Sequence, residues 1–71
     1  MERRRFASSS VRAVGYDAES RVLEIEFLKR GTFRYFDVPP IIGEGLLASP
    51  SKGRFFNDRV LGHYRFEEVK S

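Results

Sequence analysis

The sequence has no cysteine and only one histidine, His63, among its 71 residues. Without a thiol, the chain can form neither a disulfide nor a cysteine-based catalytic or metal site. The single histidine also excludes a metal site with two histidine ligands. Small domains often depend on such crosslinks for stability, so this one must be stabilised by packing alone. The absence of cysteine suits a reducing compartment, and we expect a cytoplasmic protein.

Long apolar runs are also absent. No stretch approaches the ~20 apolar residues of a membrane-spanning helix. The basic N-terminus, residues 1–5, is not followed by the apolar segment of a signal peptide. We therefore expect no membrane association. A single domain of this length buries only ~60% of its unfolded surface, so the seven phenylalanines and three tyrosines must supply much of the core.

The sequence contains no recognisable catalytic motif. No serine lies in a nucleophile elbow, and residues 51–53, Ser-Lys-Gly, lack the flanking glycine of a phosphate-binding P-loop. Glu24 and Glu26 share one face of a predicted strand, where solvent-exposed, ion-paired carboxylates are more plausible than an acid–base couple. The polar residues nearest a plausible pocket are Asn57, Asp58 and His63. We expect a non-enzymatic protein that needs no cofactor.

The apolar pattern predicts four strands and two helices. The clearest strand is 21–28, where Leu23, Ile25 and Phe27 alternate with charged residues. The other predicted strands are 11–16, 32–38 and 63–69, and the predicted helices are 41–48 and 52–60. This pattern indicates an α+β fold: a small antiparallel sheet in the order β-β-β-α-α-β, with two short helices packed on one side. Residues 10–71 would form one domain, preceded by a flexible basic arm, residues 1–9.

The turn between the second and third predicted strands predicts their register. Lys29-Arg30-Gly31 fits a three-residue hairpin loop with the glycine in the left-handed conformation. This loop places Phe27 opposite Phe33 on the core face of the sheet. On the other face, it places Glu26 opposite Arg34, a favourable pair of opposite charges.

Aromatic and basic residues alternate in this mildly basic chain, which has a net charge of +3 and a pI near 9.7. Proteins that bind single-stranded nucleic acid stack bases on aromatic rings and contact phosphates with Arg and Lys. The candidate phosphate contacts are Arg34, Lys52, Arg54 and Arg65, and the candidate stacking residues are Tyr35, Phe36 and Tyr64. We therefore expect a nucleic-acid-binding module, with RNA preferred over DNA.

Two alternatives remain open from the residues alone. The alternation puts Tyr35 on the core face together with Phe33, and this favours Tyr35 as part of the core of so small a domain over a stacking role. The arginines of the arm can form a solvated tail instead of contacting phosphates. The function can also be protein interaction or homo-oligomerisation, through an outer sheet face that carries Phe36 and Val38.

The ordered motifs resemble the KTSC domain, a small module found at the C-terminus of some lysyl-tRNA synthetases and as short stand-alone bacterial proteins. The matching segments are Ser9-Ser10, Val14-Gly15-Tyr16-Asp17, Leu23-Glu24-Ile25-Glu26-Phe27, Phe33-Arg34-Tyr35, Val38-Pro39, Leu46-Leu47, Ser51-Lys52-Gly53, Phe55-Phe56-Asn57 and Tyr64. Phe33 occupies the first position of the central Tyr-x-Tyr signature of that family. The resemblance implies RNA binding through the association with a synthetase, and it supplies no catalytic residues.

Overall fold

The computed structural model describes residues 3–5, through their backbone, and residues 11–69. Its elements are β1 (Arg3–Arg5), β2 (Val11–Asp17), β3 (Val22–Phe27), β4 (Gly31–Tyr35), α1 (Pro40–Ala48), α2 (Lys52–Arg59) and β5 (Phe66–Val69). The strands form one antiparallel sheet in the order β1-β2-β3-β4-β5. The predicted α+β order β-β-β-α-α-β is confirmed and corresponds to β2 through β5.

Strand β1 is an element that the sequence did not predict. Its backbone pairs with β2, placing Arg3 opposite Gly15 and Arg5 opposite Ala13. Backbone pairing at a sheet edge requires no hydrophobic alternation, so the arginine run gave no strand signal. The rest of the predicted flexible arm, residues 1, 2 and 6–9, lies outside the described residues.

The predicted register between β3 and β4 is wrong by two residues. Phe27 lies opposite Gly31, and Ile25 lies opposite Phe33. Gly31 does take a left-handed conformation, with φ of 88°, but it opens β4 instead of closing the loop. The loop therefore consists of residues 28–30. Because side chains alternate with a period of two, this even shift leaves every residue on its predicted face.

The two helices cover one face of the sheet and enclose the core. The ring of Phe56 from α2 packs edge-on against Phe27 and Tyr35, with centroid distances of 5.1 and 5.5 Å. The buried core side chains are Val11, Val14, Leu23, Ile25, Phe27, Tyr35, Val38, Leu46, Phe56 and Val60. The prediction that both helices pack on one side is confirmed.

Helix α1 lies unusually close to the sheet at Gly43. A Cβ atom at this position would come within 2.3 Å of the Tyr16 ring. The Tyr16 hydroxyl donates a hydrogen bond of 2.6 Å to the carbonyl oxygen of Val38, in the segment that leads into α1. The helix then begins with Pro40, a residue suited to the first helical turn. These contacts hold the first half of α1 against the sheet.

Candidate nucleic-acid interface

The predicted phosphate contact Arg34 lies on the outer face of the sheet, away from the helices, and is already paired. Its guanidinium group lies 3.0 Å from a carboxylate oxygen of Glu24 and 3.8 Å from one of Glu67. On the same face, Arg12 lies 4.0 Å from Glu26. Arg34 and Arg12 each lie beside a carboxylate on this face, so a phosphate at either guanidinium group would have to compete with it.

Two residues predicted to lie on binding surfaces are buried instead. Tyr35 is 3% exposed, and its ring packs on Phe56 and Phe66. Burial also raises the pKa of its phenol. Val38 is fully buried, so it cannot form the outer surface predicted for protein contacts. Tyr35 belongs to the core because the helices cover its face of the sheet. Val38 follows the end of β4, where its backbone N–H donates to the carbonyl oxygen of Arg21 and its side chain packs in the core.

Phe36 and Arg65, two further predicted contacts, lie together where β4 ends and β5 begins. The backbone N–H of Phe36 donates to the carbonyl oxygen of Arg65, and the Arg65 guanidinium lies 5.6 Å from the centre of the Phe36 ring. This is a cation–π geometry. Tyr64 is half-buried and packs against the core. The structure therefore joins Phe36 to Arg65, while the guanidinium group of Arg34 is engaged with Glu24 and Glu67.

A surface groove of about 370 Å³ lies where α1 leads into α2. Its lining residues are Ser49, Pro50, Ser51, Arg54, Phe55, Asp58 and Arg59. The helical period explains the composition of this lining: Phe56 and Val60 face the core, which leaves Arg54 and Asp58 on another side of α2. The corner is held by the Ser49 hydroxyl, which accepts a hydrogen bond of 3.1 Å from the backbone N–H of Ser51.

The charged side chains of this groove are available for a ligand. Arg54, Asp58 and Arg59 are exposed, and none of the three forms a side-chain hydrogen bond or ion pair with the residues described. Phe55 is half-buried, with its ring held against Gly45 of α1. The groove thus combines two cations, one carboxylate and an aromatic ring.

The sequence identified only part of this groove. It pointed to Arg54 as a phosphate contact and to Asp58 as a residue near a plausible pocket, and both line the groove. Lys52 does not line it; its ammonium group donates to the carbonyl oxygen of Ser49.

The sequence missed Phe55 and Arg59. The helical period of α2 could have identified both residues. Once Phe56 is assigned to the core, this period places Phe55 and Arg59 away from the core-facing side of the helix.

Neither a metal site nor a membrane span occurs in the part of the chain that the structure describes. No group of three His, Asp or Glu residues among residues 11–69 is placed to hold a metal ion. None of the described helices has the length and hydrophobicity needed to cross a membrane.

Comparison with known proteins gives the relatives of this chain. The KTSC domain profile matches residues 7–64. An uncharacterised protein from Stutzerimonas stutzeri is 43% identical, over 97% of this chain and 99% of that protein. A lysine–tRNA ligase from Nostoc punctiforme is 36% identical over 86% of this chain, which spans only 11% of the ligase. The crystal structure of a KTSC domain protein from Yersinia pestis superposes with a TM-score of 0.93, at 33% identity and 97% coverage of both chains. The fold and the sequence together show that this chain belongs to the KTSC domain family.

Proposed function

We propose that this domain is a non-enzymatic RNA-binding module and that it binds RNA in the groove between α1 and α2. The observation that carries the proposal is the groove itself, which brings Arg54 and Arg59 together beside the ring of Phe55. Guanidinium groups bind phosphate oxygens strongly, and an aromatic ring provides a surface on which an unpaired base stacks. The hydroxyl of Ser51 adds a donor suited to phosphate or ribose oxygens.

The relatives support RNA as the nucleic acid. Lysine–tRNA ligases from three cyanobacteria carry a region 30–36% identical to this chain. By its name, such an enzyme acts on tRNA, and a domain added to it is well placed to contact the same RNA. We also propose a cytoplasmic location, as expected from the cysteine-free sequence.

The outer sheet face is not part of the proposed interface. Arg34 makes ion pairs with Glu24 and Glu67, so a phosphate would have to compete with two carboxylates. We assign Arg34 to the stability of the sheet. Phe36 and Arg65 do not line the groove, and we place them outside the proposed site.

Salt dependence of RNA affinity tests this proposal. Two phosphate contacts on single-stranded RNA give a slope of about −1.4 in log affinity against log salt, so affinity should fall about sevenfold from ~50 to ~200 mM salt. Arg54→Gln should remove one contact and reduce this fall to about threefold. Fluorescence anisotropy with a short labelled oligoribonucleotide measures both values.

The matched control is Lys29→Gln, which removes one positive charge from an exposed loop residue outside the groove. This variant should keep the salt dependence of the wild type. Absence of binding at ~50 mM salt would refute RNA binding by this domain. Equal effects of Arg54→Gln and Lys29→Gln would refute the groove as its site.

A second candidate function is protein contact at the edge of the sheet. Strand β5 is an edge strand, and Phe66 on it is 53% exposed, beside the rings of Phe33 and Tyr35. An exposed ring beside unpaired backbone groups is typical of a surface that accepts another chain. Static light scattering distinguishes this function: self-association that Phe66→Thr abolishes supports it, whereas a monomer at all concentrations excludes self-association at this edge.

A further inference from the structure

Asp58 is an acidic residue in a groove whose other charges are positive. Its carboxylate is exposed and forms neither a hydrogen bond nor an ion pair with any residue in the described part of the chain. It also lies in the last turn of α2, where the helix dipole disfavours a negative charge. Phosphate binding does not require Asp58 and is opposed by it. Asp58 follows Arg54 by four residues, a spacing at which opposite charges on a helix attract, but the two side chains form no ion pair in the structure. The carboxylate is therefore open to a ligand.

A carboxylate recognises nucleobases through their donor groups. Its two oxygens accept two parallel hydrogen bonds, the geometry in which it also pairs with a guanidinium group. On the Watson–Crick edge, guanine presents two adjacent donors, N1–H and the N2 amino group. Adenine and cytosine each present one donor beside an acceptor, and uracil presents one donor between two acceptors. Guanine is thus the base whose free edge matches a carboxylate.

We propose that the groove selects an unpaired guanine, with the Asp58 carboxylate accepting hydrogen bonds from N1–H and N2–H of the base. This inference rests on the proposed binding of RNA at the same groove. Phe55 supplies the ring against which the base stacks, and Arg54 and Arg59 contact the neighbouring phosphates.

The size of the groove agrees with a single nucleotide. Its volume of about 370 Å³ is near the lower end of the ~300–1,000 Å³ that small-ligand sites occupy. The Watson–Crick edge of a paired guanine is already occupied, so the site would select single strands, loops and ends over duplex RNA.

The same chemistry has two possible sources: guanine within an RNA strand or a free guanine nucleotide. A strand offers phosphates on both sides of the base, one for each arginine, whereas guanosine monophosphate offers only one. We therefore expect a guanine-containing strand to bind more tightly than the free nucleotide.

The test measures anisotropy with labelled oligouridylates that carry a single central G, A, C or U. A bidentate contact at an exposed site should give guanine a preference of about five- to tenfold, the low end of what such pairs provide. Asp58→Asn should reduce this preference to less than about twofold while binding of the all-uridine strand is retained or strengthened. Circular dichroism confirms that the variant is folded.

Glu44→Gln is the matched control, because it removes one negative charge from an exposed position on α1 outside the groove. It should leave the guanine preference unchanged. Competition with guanosine monophosphate separates the two sources: weak competition supports a strand, and competition equal to that of the guanine oligonucleotide assigns the site to the free nucleotide.

The outcomes also separate this inference from the proposed function. Equal affinity for all four strands, still weakened by Arg54→Gln, would overturn guanine selection and leave RNA binding intact. A guanine preference that persists in Asp58→Asn would overturn the role of Asp58. No binding of any strand would overturn both.

Discussion

Substitution of Gly43 by alanine should destabilise the domain, because α1 and the sheet are in direct contact at this residue. The new methyl group would lie 2.3–2.5 Å from three atoms of the Tyr16 ring. Carbon atoms in contact normally lie ~3.5–4.0 Å apart, so the ring or the helix must move by about 1 Å or more. The ring is constrained by its hydroxyl, which donates a hydrogen bond to the Val38 carbonyl oxygen, and by its strand position opposite Leu23.

The size of the effect follows from three contributions. Overpacking of a filled site costs about 1–3 kcal/mol. Loss of the Tyr16 hydrogen bond adds about 1 kcal/mol. The higher helix propensity of alanine offsets these losses by stabilising the folded state by about 1 kcal/mol. The free energy of unfolding should therefore fall by about 2 kcal/mol, which corresponds to a decrease in Tm of roughly 8–16 °C for a domain of this size.

Thermal unfolding followed by circular dichroism measures this change. Gly45→Ala is the matched control, since it brings the same gain in propensity on the same helix. Its methyl group would approach only the far end of the half-buried Phe55 ring, at 2.9 Å, a smaller overlap than the one at Gly43. A Gly43→Ala variant as stable as Gly45→Ala would refute the close contact between α1 and Tyr16.

Two further predictions concern the sheet. Arg34→Gln removes the ion pairs with Glu24 and Glu67 and should lower the free energy of unfolding by no more than about 1 kcal/mol. The affinity for RNA should stay unchanged. A large loss of RNA affinity would show that Arg34 belongs to the interface. Burial raises the pKa of Tyr35 in the folded state, so its contribution to stability is complete below the ordinary value of 10.0 and is lost as the pH rises above it. Urea unfolding of the wild type should therefore show a decline above pH ~10 that is smaller in Tyr35→Phe, and identical profiles would contradict this assignment.

The hydrophobic period carried most of the information about the fold. Alternation along β3 predicted which side chains face the core, and those faces are correct although the β3–β4 register is not. The error arose because a left-handed glycine is compatible with more than one hairpin loop. Gly31 can take the left-handed conformation either inside the loop or at the start of β4. Registers that differ by two residues place the same side chains on each face, so the hydrophobic pattern cannot distinguish them.

The candidate site was less predictable because it depends on which surfaces the helices cover. Alternation placed Tyr35 on the core face, but the sequence could not show that Phe56 of α2 would cover its ring or that Arg34 would lie between Glu24 and Glu67. These outcomes depend on the packing of elements that are distant in the chain. Phe55 and Arg59 line the groove because the turn after α1 brings α2 back against α1.

RNA binding in the groove between α1 and α2 is tested most directly by backbone amide chemical shifts, measured during titration with a guanine-containing oligoribonucleotide. Binding in the groove should produce saturable shift changes concentrated on residues 49–59, with little change at Glu24, Arg34 and Glu67. Changes centred on those three outer-face residues, or a spectrum that RNA leaves unaltered, would contradict it.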